Sequence, residues 1–307
     1  MAFSGSDAAF EGFRLVRRNP MALLAWALLY AALSLASLFA MARAIGPLTA
    51  WGERLEGLES TSATPEQVFA ALQSLGEVMS SLAWLLPVSV AVNAMLMAAV
   101  ARAVLNPRAG GFGYLRLGMD ELRVFVVTLV LGILLFFAWM AAGVVVVVLA
   151  TIAGASGAEW MWPLVVLGGL GGVAGFVWLA IRLSLAVPIT VAENRFAFFD
   201  SFALTRGKFW SLLGMAVIAF VMVLVIGLLS WVVTLPLSLM AGMETWSSGA
   251  GSDPEAVAAA LDVANPWVIV SAVVEGAISA LTVGVIYAPF AAAYRDIKGL
   301  GAETPTA

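Results

Sequence analysis

Long apolar stretches alternate along this chain with short polar connections, and the stretches outlast any element of a soluble fold. A helix needs about 20 apolar residues to cross the hydrocarbon core of a bilayer. Six stretches reach that length: Pro20–Arg43, Leu82–Val104, Val124–Ala150, Trp162–Leu185, Phe209–Leu235 and Pro266–Tyr287. Backbone groups in lipid must bond within their own segment, so each stretch is predicted to be a helix. The fold class expected is an all-α membrane protein with six transmembrane helices, forming a single transmembrane domain over residues 1–307. Arg14, Arg17 and Arg18 before the first stretch resemble the start of a signal peptide. The apolar run behind them has no convincing small-residue cleavage site, so it reads as an uncleaved first span.

The connections differ sharply in charge. Arg14, Arg17 and Arg18 precede the first span. Arg102, Arg108, Arg116 and Arg123 flank the second connection, and Arg182, Arg195, Arg206 and Lys208 the fourth. Arg295 and Lys298 lie in the tail. The other three connections hold only Arg43 and Arg54, while Glu53, Glu56, Glu59, Glu66, Glu77, Glu159, Glu244 and Glu255 fall there. Basic connections stay in the cytoplasm, so both termini are expected inside a bacterial inner membrane. Trp51, Trp84, Trp160, Trp162, Trp246 and Trp267 cluster at the opposite ends of the spans, where an amphipathic ring prefers the interface.

Part of the pattern repeats. Phe13-Arg14-Leu15-Val16-Arg17 precedes the first span, and Phe202-Ala203-Leu204-Thr205-Arg206 precedes the fifth in the same register. Pro65–Leu72 and Pro254–Leu261 share six of eight residues at the same offset. Both read as short helices, with Thr64 or Asp253 as N-cap, proline in the first turn and, for the first, a Thr64–Gln67 capping box. These matches predict three parallel two-helix repeats, about 10–109, 110–198 and 199–298, each opened by a cytoplasmic interfacial helix. The segment Phe196–Phe209 is expected to be such a helix, with Phe196, Phe199, Phe202 and Ala203 on its membrane face.

Composition narrows the chemistry. Of 307 residues 63% are hydrophobic and 11% charged, the net charge is −4, and there is neither cysteine nor histidine. Acidic balance argues against a nucleic-acid partner. Without His or Cys the usual metal ligand sets and the Ser-His-Asp triad are unavailable. No cofactor is expected, and the chain reads as not being an enzyme. Gly154-Ala155-Ser156-Gly157 matches a rhomboid-protease motif whose chemistry needs a histidine that is missing. Gly168, Gly171, Gly172 and Gly175 lie inside an apolar run, where they read as helix-packing positions.

A few polar residues stand out within the spans. Glu275 is the one acid deep in a span, where a charge costs about 2.5–3.5 kcal/mol on insertion scales. Ser271 and Ser279 flank it by one turn, and Ala272, Gly276, Ala280, Gly284 and Ala288 form a small-residue ridge beside it. The sixth helix is therefore expected to be the most enclosed, with Glu275 pointing into the bundle. Glu275 could be a proton or ligand site or could glue helices together. Asn93 in the second span admits the same two readings. Arg182 could snorkel to the interface, bind a lipid phosphate or pair with Glu193.

The text Leu185-Ala186-Val187-Pro188-Ile189-Thr190-Val191-Ala192-Glu193, followed by Phe199–Trp210 with its Leu204-Thr205-Arg206-Gly207-Lys208-Phe209-Trp210, is the most recognisable. It resembles a family of bacterial multi-span proteins named after the membrane domain fused to some glycerophosphodiester phosphodiesterases. Tyr294-Arg295-Asp296 resembles the ending of the same family. The resemblance implies a shared membrane fold, without the separate catalytic barrel and its histidines. The charge-poor helices and the lack of reactive residues lead to the first expectation, a non-enzymatic accessory or scaffold protein acting through membrane lipids and other membrane proteins. The alternative is a transporter or lipid-handling protein. The second would use a mid-membrane cavity near Glu275, Asn93 and Ser279.

Overall fold

The computed structural model describes residues 4–58, 64–109, 111–116, 118–240 and 265–300. Among them the regular structure is helical, with no strand. Two short helices, α1 (Gly5–Ala9) and α2 (Glu11–Arg18), lead into α3 (Pro20–Leu58). Then come α4 (Pro65–Leu82), α5 (Leu85–Leu105), α6 (Met119–Ser156) and α7 (Trp162–Leu183). The chain ends with α8 (Ala186–Glu193), α9 (Asp200–Leu204), α10 (Phe209–Met240) and α11 (Pro266–Ile297). Six segments are long and apolar enough to cross a membrane: Pro20–Leu55, Pro65–Leu105, Met119–Ser156, Glu159–Glu193, Phe209–Met240 and Pro266–Ile297. Phe137, Leu228 and Trp231 are each more than 60% exposed on these helices. Such contiguous apolar surface needs lipid rather than water, and the chain is a multi-pass membrane protein.

Local signals set the helix ends. The Thr64 hydroxyl accepts from the Gln67 N–H at 3.4 Å while Gln67 Oε1 accepts from the Thr64 N–H at 2.8 Å, and Pro65 fills the first turn. Gly157 takes the left-handed conformation that closes α6 (φ 63°), and Asn194 does the same after α8 (φ 51°). Several helices outrun the expected spans. At a rise of about 1.5 Å per residue, α3 with 39 residues and α6 with 38 are each longer than the hydrocarbon core is thick. The ends of the apolar run do not end the helix, because α4 packs along the continuation of α3 and supports it. The proposed helix at Pro254–Leu261 lies outside the described residues.

Phe196–Phe209 is not one amphipathic helix. Its helical part is only Asp200–Leu204, because the left-handed Asn194 turns the chain first and Gly207 (φ 76°) turns it again before α10. Phe196 and Phe199 are exposed, whereas Phe202 packs on the buried Val127, Leu131, Leu183 and Ala186.

The structure divides into two compact units. Unit 1 holds residues 1–17, 94–221 and 284–307; unit 2 holds residues 18–93 and 222–283. In unit 1, α6 and α7 form a hairpin in which a Cβ on Gly168 or Gly172 would meet Leu149 or Ala142 at 2.9 Å. These two glycines serve as packing positions; Gly171 and Gly175 face open space. A Cβ on Gly12 would meet the Val285 Cα at 2.5 Å, so α2 lies directly on the α11 backbone. The half of this unit nearest the α5–α6 connection encloses an ion pair between Arg102 and Glu121, both buried, and Arg102 also donates to the Tyr114 carbonyl at 3.0 Å.

In unit 2, the small-residue ridge of α11 behaves as its spacing predicts. Ala272, Gly276 and Ala280 are buried, and a Cβ on Gly276 would meet the Ala27 carbonyl oxygen at 2.6 Å and the Ala31 nitrogen at 2.7 Å. The sixth span is not the most enclosed, however. Half of the most apolar window of Pro65–Leu105 is buried, against a third for Pro266–Ile297. The alanine-rich run Ala94–Val104, which belongs to unit 1, is mostly buried, since small side chains admit neighbours on every side.

Because Gly276 has no room for any side chain, Gly276→Leu should destabilise the protein by about 1–3 kcal/mol, the usual cost of overpacking. Gly227→Ala, whose added Cβ meets nothing within 4 Å, should leave stability unchanged or slightly raised. Thermal unfolding of both variants in lipid nanodiscs checks this, and a tolerated Gly276→Leu would contradict the close helix contact.

Candidate functional site

Two polar places emerge, one in each unit. In unit 2, α3 turns Leu33, Ser34, Ser37, Leu38 and Met41 toward a cleft of about 470 Å³. Leu82 and Leu85, from the turn joining α4 to α5, form another part of its wall, and Glu275 of α11 completes it. The register follows from the neighbouring glycine. With Gly276 against Ala27 and Ala31, the preceding residue of α11, Glu275, is brought beside the following turns of α3.

Glu275 is exposed rather than enclosed, contrary to expectation. The helix does bury its small-residue face, but the acid projects about 100° away from Gly276 around the helix and meets the cleft instead. No described residue forms an ion pair with it. Ser37 Oγ donates to the Leu33 carbonyl at 2.9 Å, which leaves its oxygen free to accept.

Ser271 and Ser279 are half-buried and do not line this cleft; Ser271 Oγ donates to the Val268 carbonyl at 2.9 Å. Asn93 lies apart from it as well. Its Oδ1 accepts from the Tyr30 hydroxyl at 3.0 Å, and its Nδ2 donates to the Ser89 carbonyl at 2.9 Å. Asn93 therefore ties α5 to α3.

Arg182 and Glu193 belong to unit 1, where they do not pair. Arg182 Nη1 donates to the Phe202 carbonyl and to Thr205 Oγ1, each at 3.3 Å, and its guanidinium lies 5.6 Å from the centre of the Trp178 ring. Its Nε is buried without a hydrogen-bond partner. Arg182 thus fastens the α9 segment onto α7. The nearby Ser201 hydroxyl accepts from the Leu185 N–H at 3.1 Å and fixes the same junction.

Glu193 is the hub of the second polar place. It accepts from Arg195 Nε at 2.8 Å and from the Tyr294 hydroxyl at 3.2 Å, and Lys298 Nζ lies 3.3 Å away. Arg195 also reaches Asp200 at 2.7 Å. Its hydrogen bonds, first to Asp200 and then to Glu193, hold its pKa above the ordinary arginine value. Arg295 of α11 approaches Glu11 of α2 at 3.7 Å. The network joins the end of α8 to the end of α11, and each of its carboxylates has a cation.

Unit 1 also contains an apolar cavity of about 260 Å³, between Met97, Leu131, Leu135 and Phe290, with Thr128, Ser184 and Tyr287 as its polar members. No group of three or more acidic side chains among the described residues could hold a metal ion.

Tyr30, Ser34 and Ser37 were not singled out by the sequence. Their spacing puts them on one face of α3, the same argument that marks Ser271, Glu275 and Ser279 on α11. Applying it to every span would have found them. Tyr294 was visible only as part of a tail motif, because its partner Glu193 lies 101 residues earlier.

Comparison with known proteins gives a family and no activity. The family model described as a domain of unknown function (DUF7847) matches residues 8–297. No curated protein and no solved structure matches the chain.

Removing the hub should loosen the tail. Glu193→Ala should raise amide hydrogen exchange across residues 294–298 roughly fivefold, as expected when exposed ion pairs worth about 1 kcal/mol are lost. Glu66→Ala, at an exposed position of α4, should leave that region unchanged. Equal protection in both variants would show that Glu193 does not hold the tail.

Proposed function

The chain belongs to the DUF7847 family, and we propose that it is a non-enzymatic lipid-handling or transport protein that receives a membrane-soluble ligand in the cleft beside Glu275. One observation carries this reading: a cleft of about 470 Å³ reaches a carboxylate that no described residue pairs with. A cleft of that size falls within the usual range for small-molecule sites, about 300–1,000 Å³. Counted from Pro266, Glu275 is about 14 Å along α11, far enough from the helix end to lie within a hydrocarbon core about 30 Å thick. An acid that serves only as glue would need a partner on a neighbouring helix, as Asn93 has in Tyr30.

The resemblance of Leu185–Glu193 and Phe199–Trp210 to the membrane domain of glycerophosphodiester phosphodiesterases supports a shared lipid environment and brings no catalytic residues with it. The alternation of basic and acidic connections supports a bacterial inner membrane with both termini in the cytoplasm.

Purification in native-lipid nanodiscs, followed by mass spectrometry of what accompanies the protein, tests the role. One lipid or small molecule should be enriched with the wild type and reduced at least about tenfold with Glu275→Gln and with the cleft-filling Ser37→Phe. Equal recovery from all three would remove the cleft from consideration. A stable protein partner retained by all three, with no enriched ligand, would instead establish the accessory role.

Orientation has its own test, which the absence of native cysteine makes clean. A cysteine replacing the exposed Glu66 should react with an impermeant maleimide in intact cells. A cysteine replacing the exposed Arg17 should react only after permeabilisation. The reverse pattern would invert the topology.

A further inference from the structure

We infer that the cleft beside Glu275 selects cationic amphiphiles: apolar molecules with a single protonated amine. This rests on the ligand-binding reading above and adds the chemical class. The walls decide the body of the ligand. Leu33, Leu38, Met41 and Leu85 offer aliphatic and thioether surface, which favours a hydrocarbon chain over a sugar or a peptide.

The polar atoms decide the head. Glu275 supplies one negative charge and two acceptor oxygens. Ser37 spends its proton on the Leu33 carbonyl and keeps acceptor lone pairs. Ser34, one turn before on the same wall, can accept as well. Glu275 and Ser37 offer only acceptors, which match a head made of donors, and one carboxylate matches one positive charge. An ammonium with N–H groups meets both requirements. An acid would be repelled, and an amide or alcohol would leave the carboxylate without a counter-charge.

Among the described residues no Lys or Arg forms an ion pair with Glu275. The basic residues of unit 2 are Arg18, Arg43 and Arg54. Arg43 lies over the Phe39 ring at 4.4 Å, Arg54 donates to the Ala70 carbonyl at 2.8 Å, and Arg18 ends α2, well before Ser34 in the chain. Residues 222–283, which include Glu275, contain no Lys or Arg. A carboxylate at this depth is costly unless it is paired or hydrated, so an incoming ammonium gains more from Glu275 than it would from an acid in water.

The test uses the full-length protein in zwitterionic nanodiscs and three photoactivatable probes with one alkyl chain: a primary amine, its N-acetyl amide and the corresponding fatty acid. Cross-links are mapped by mass spectrometry. The amine should label residues 33–41 and 266–283 about tenfold more than the amide, with the acid weakest. Glu275→Gln should bring amine labelling down to the amide level, whereas Glu275→Asp should retain a clear preference for the amine. Unfolding temperatures confirm that both variants are folded. Equal labelling by amine and amide, or an amine preference that survives Glu275→Gln, would overturn the charge selection while leaving the cleft as a lipid-handling site. If none of the probes labels the cleft, the ligand-binding reading falls with it.

Discussion

The contact between Gly276 and the backbone of α3 fixes the geometry on which unit 2 depends. At 2.6 Å from the Ala27 carbonyl oxygen, the place of a Cβ on Gly276 is already occupied, so the two helices meet backbone to backbone. Lipid gives helices no hydrophobic reason to associate, and close packing of small residues takes that role. Ala272 and Ala280 extend the same buried face by one turn each way. Once that face is committed to α3, the helical angle leaves Glu275 no place in the contact itself. It emerges at the margin, where Ser34 and Ser37 line the adjoining wall. The cleft thus adjoins this backbone contact, and its acid and hydroxyls are held on regular helices rather than on loops.

Unit 1 treats charge in the opposite way. Glu121 is paired with Arg102 in a buried setting, Glu11 with Arg14 and Arg295, and Glu193 with Arg195 and Lys298. Removing one member of a buried pair typically costs about 3–5 kcal/mol, because the survivor is left without compensation. These pairs join separate helices: α5 to α6, α2 to α11, and α8 to the end of α11. Their positions beside the basic connections mean that the arginines counted for orientation also fasten the helices where the apolar spans end.

Much of this was legible from the chain. The six spans, the Thr64–Gln67 capping box and the small-residue face of α11 follow from composition and spacing, because each is a property of one helix. What required a second helix was not legible. The angle of Glu275 relative to Gly276 is implicit in the sequence, but the neighbour it meets is not, so an acid beside a packed ridge was assigned to the interior. Arg182 and Glu193 are close in the chain and suggest a pair. The turn at Asn194 instead sends Glu193 toward Tyr294 and leaves Arg182 to the carbonyl of Phe202. The helix expected over Phe196–Phe209 failed for the same reason: two residues with positive φ, Asn194 and Gly207, break up a segment whose apolar spacing alone looks helical.

Asn93 and Glu275 both place a polar side chain within a span of unit 2, and they differ in what surrounds them. Asn93 uses its oxygen and its nitrogen within the protein, on Tyr30 and on the Ser89 carbonyl, and so repays its transfer into an apolar region. Glu275 carries the larger transfer cost, about 2.5–3.5 kcal/mol on insertion scales, yet no ion pair among the described residues offsets it. Its side chain is exposed, so it adds nothing to the contact that Gly276 makes. A leucine at position 275 would serve packing and insertion better. On the proposed reading the compensation for an acid there comes from something that enters the cleft, whose aliphatic wall favours an entrant with an apolar body of its own.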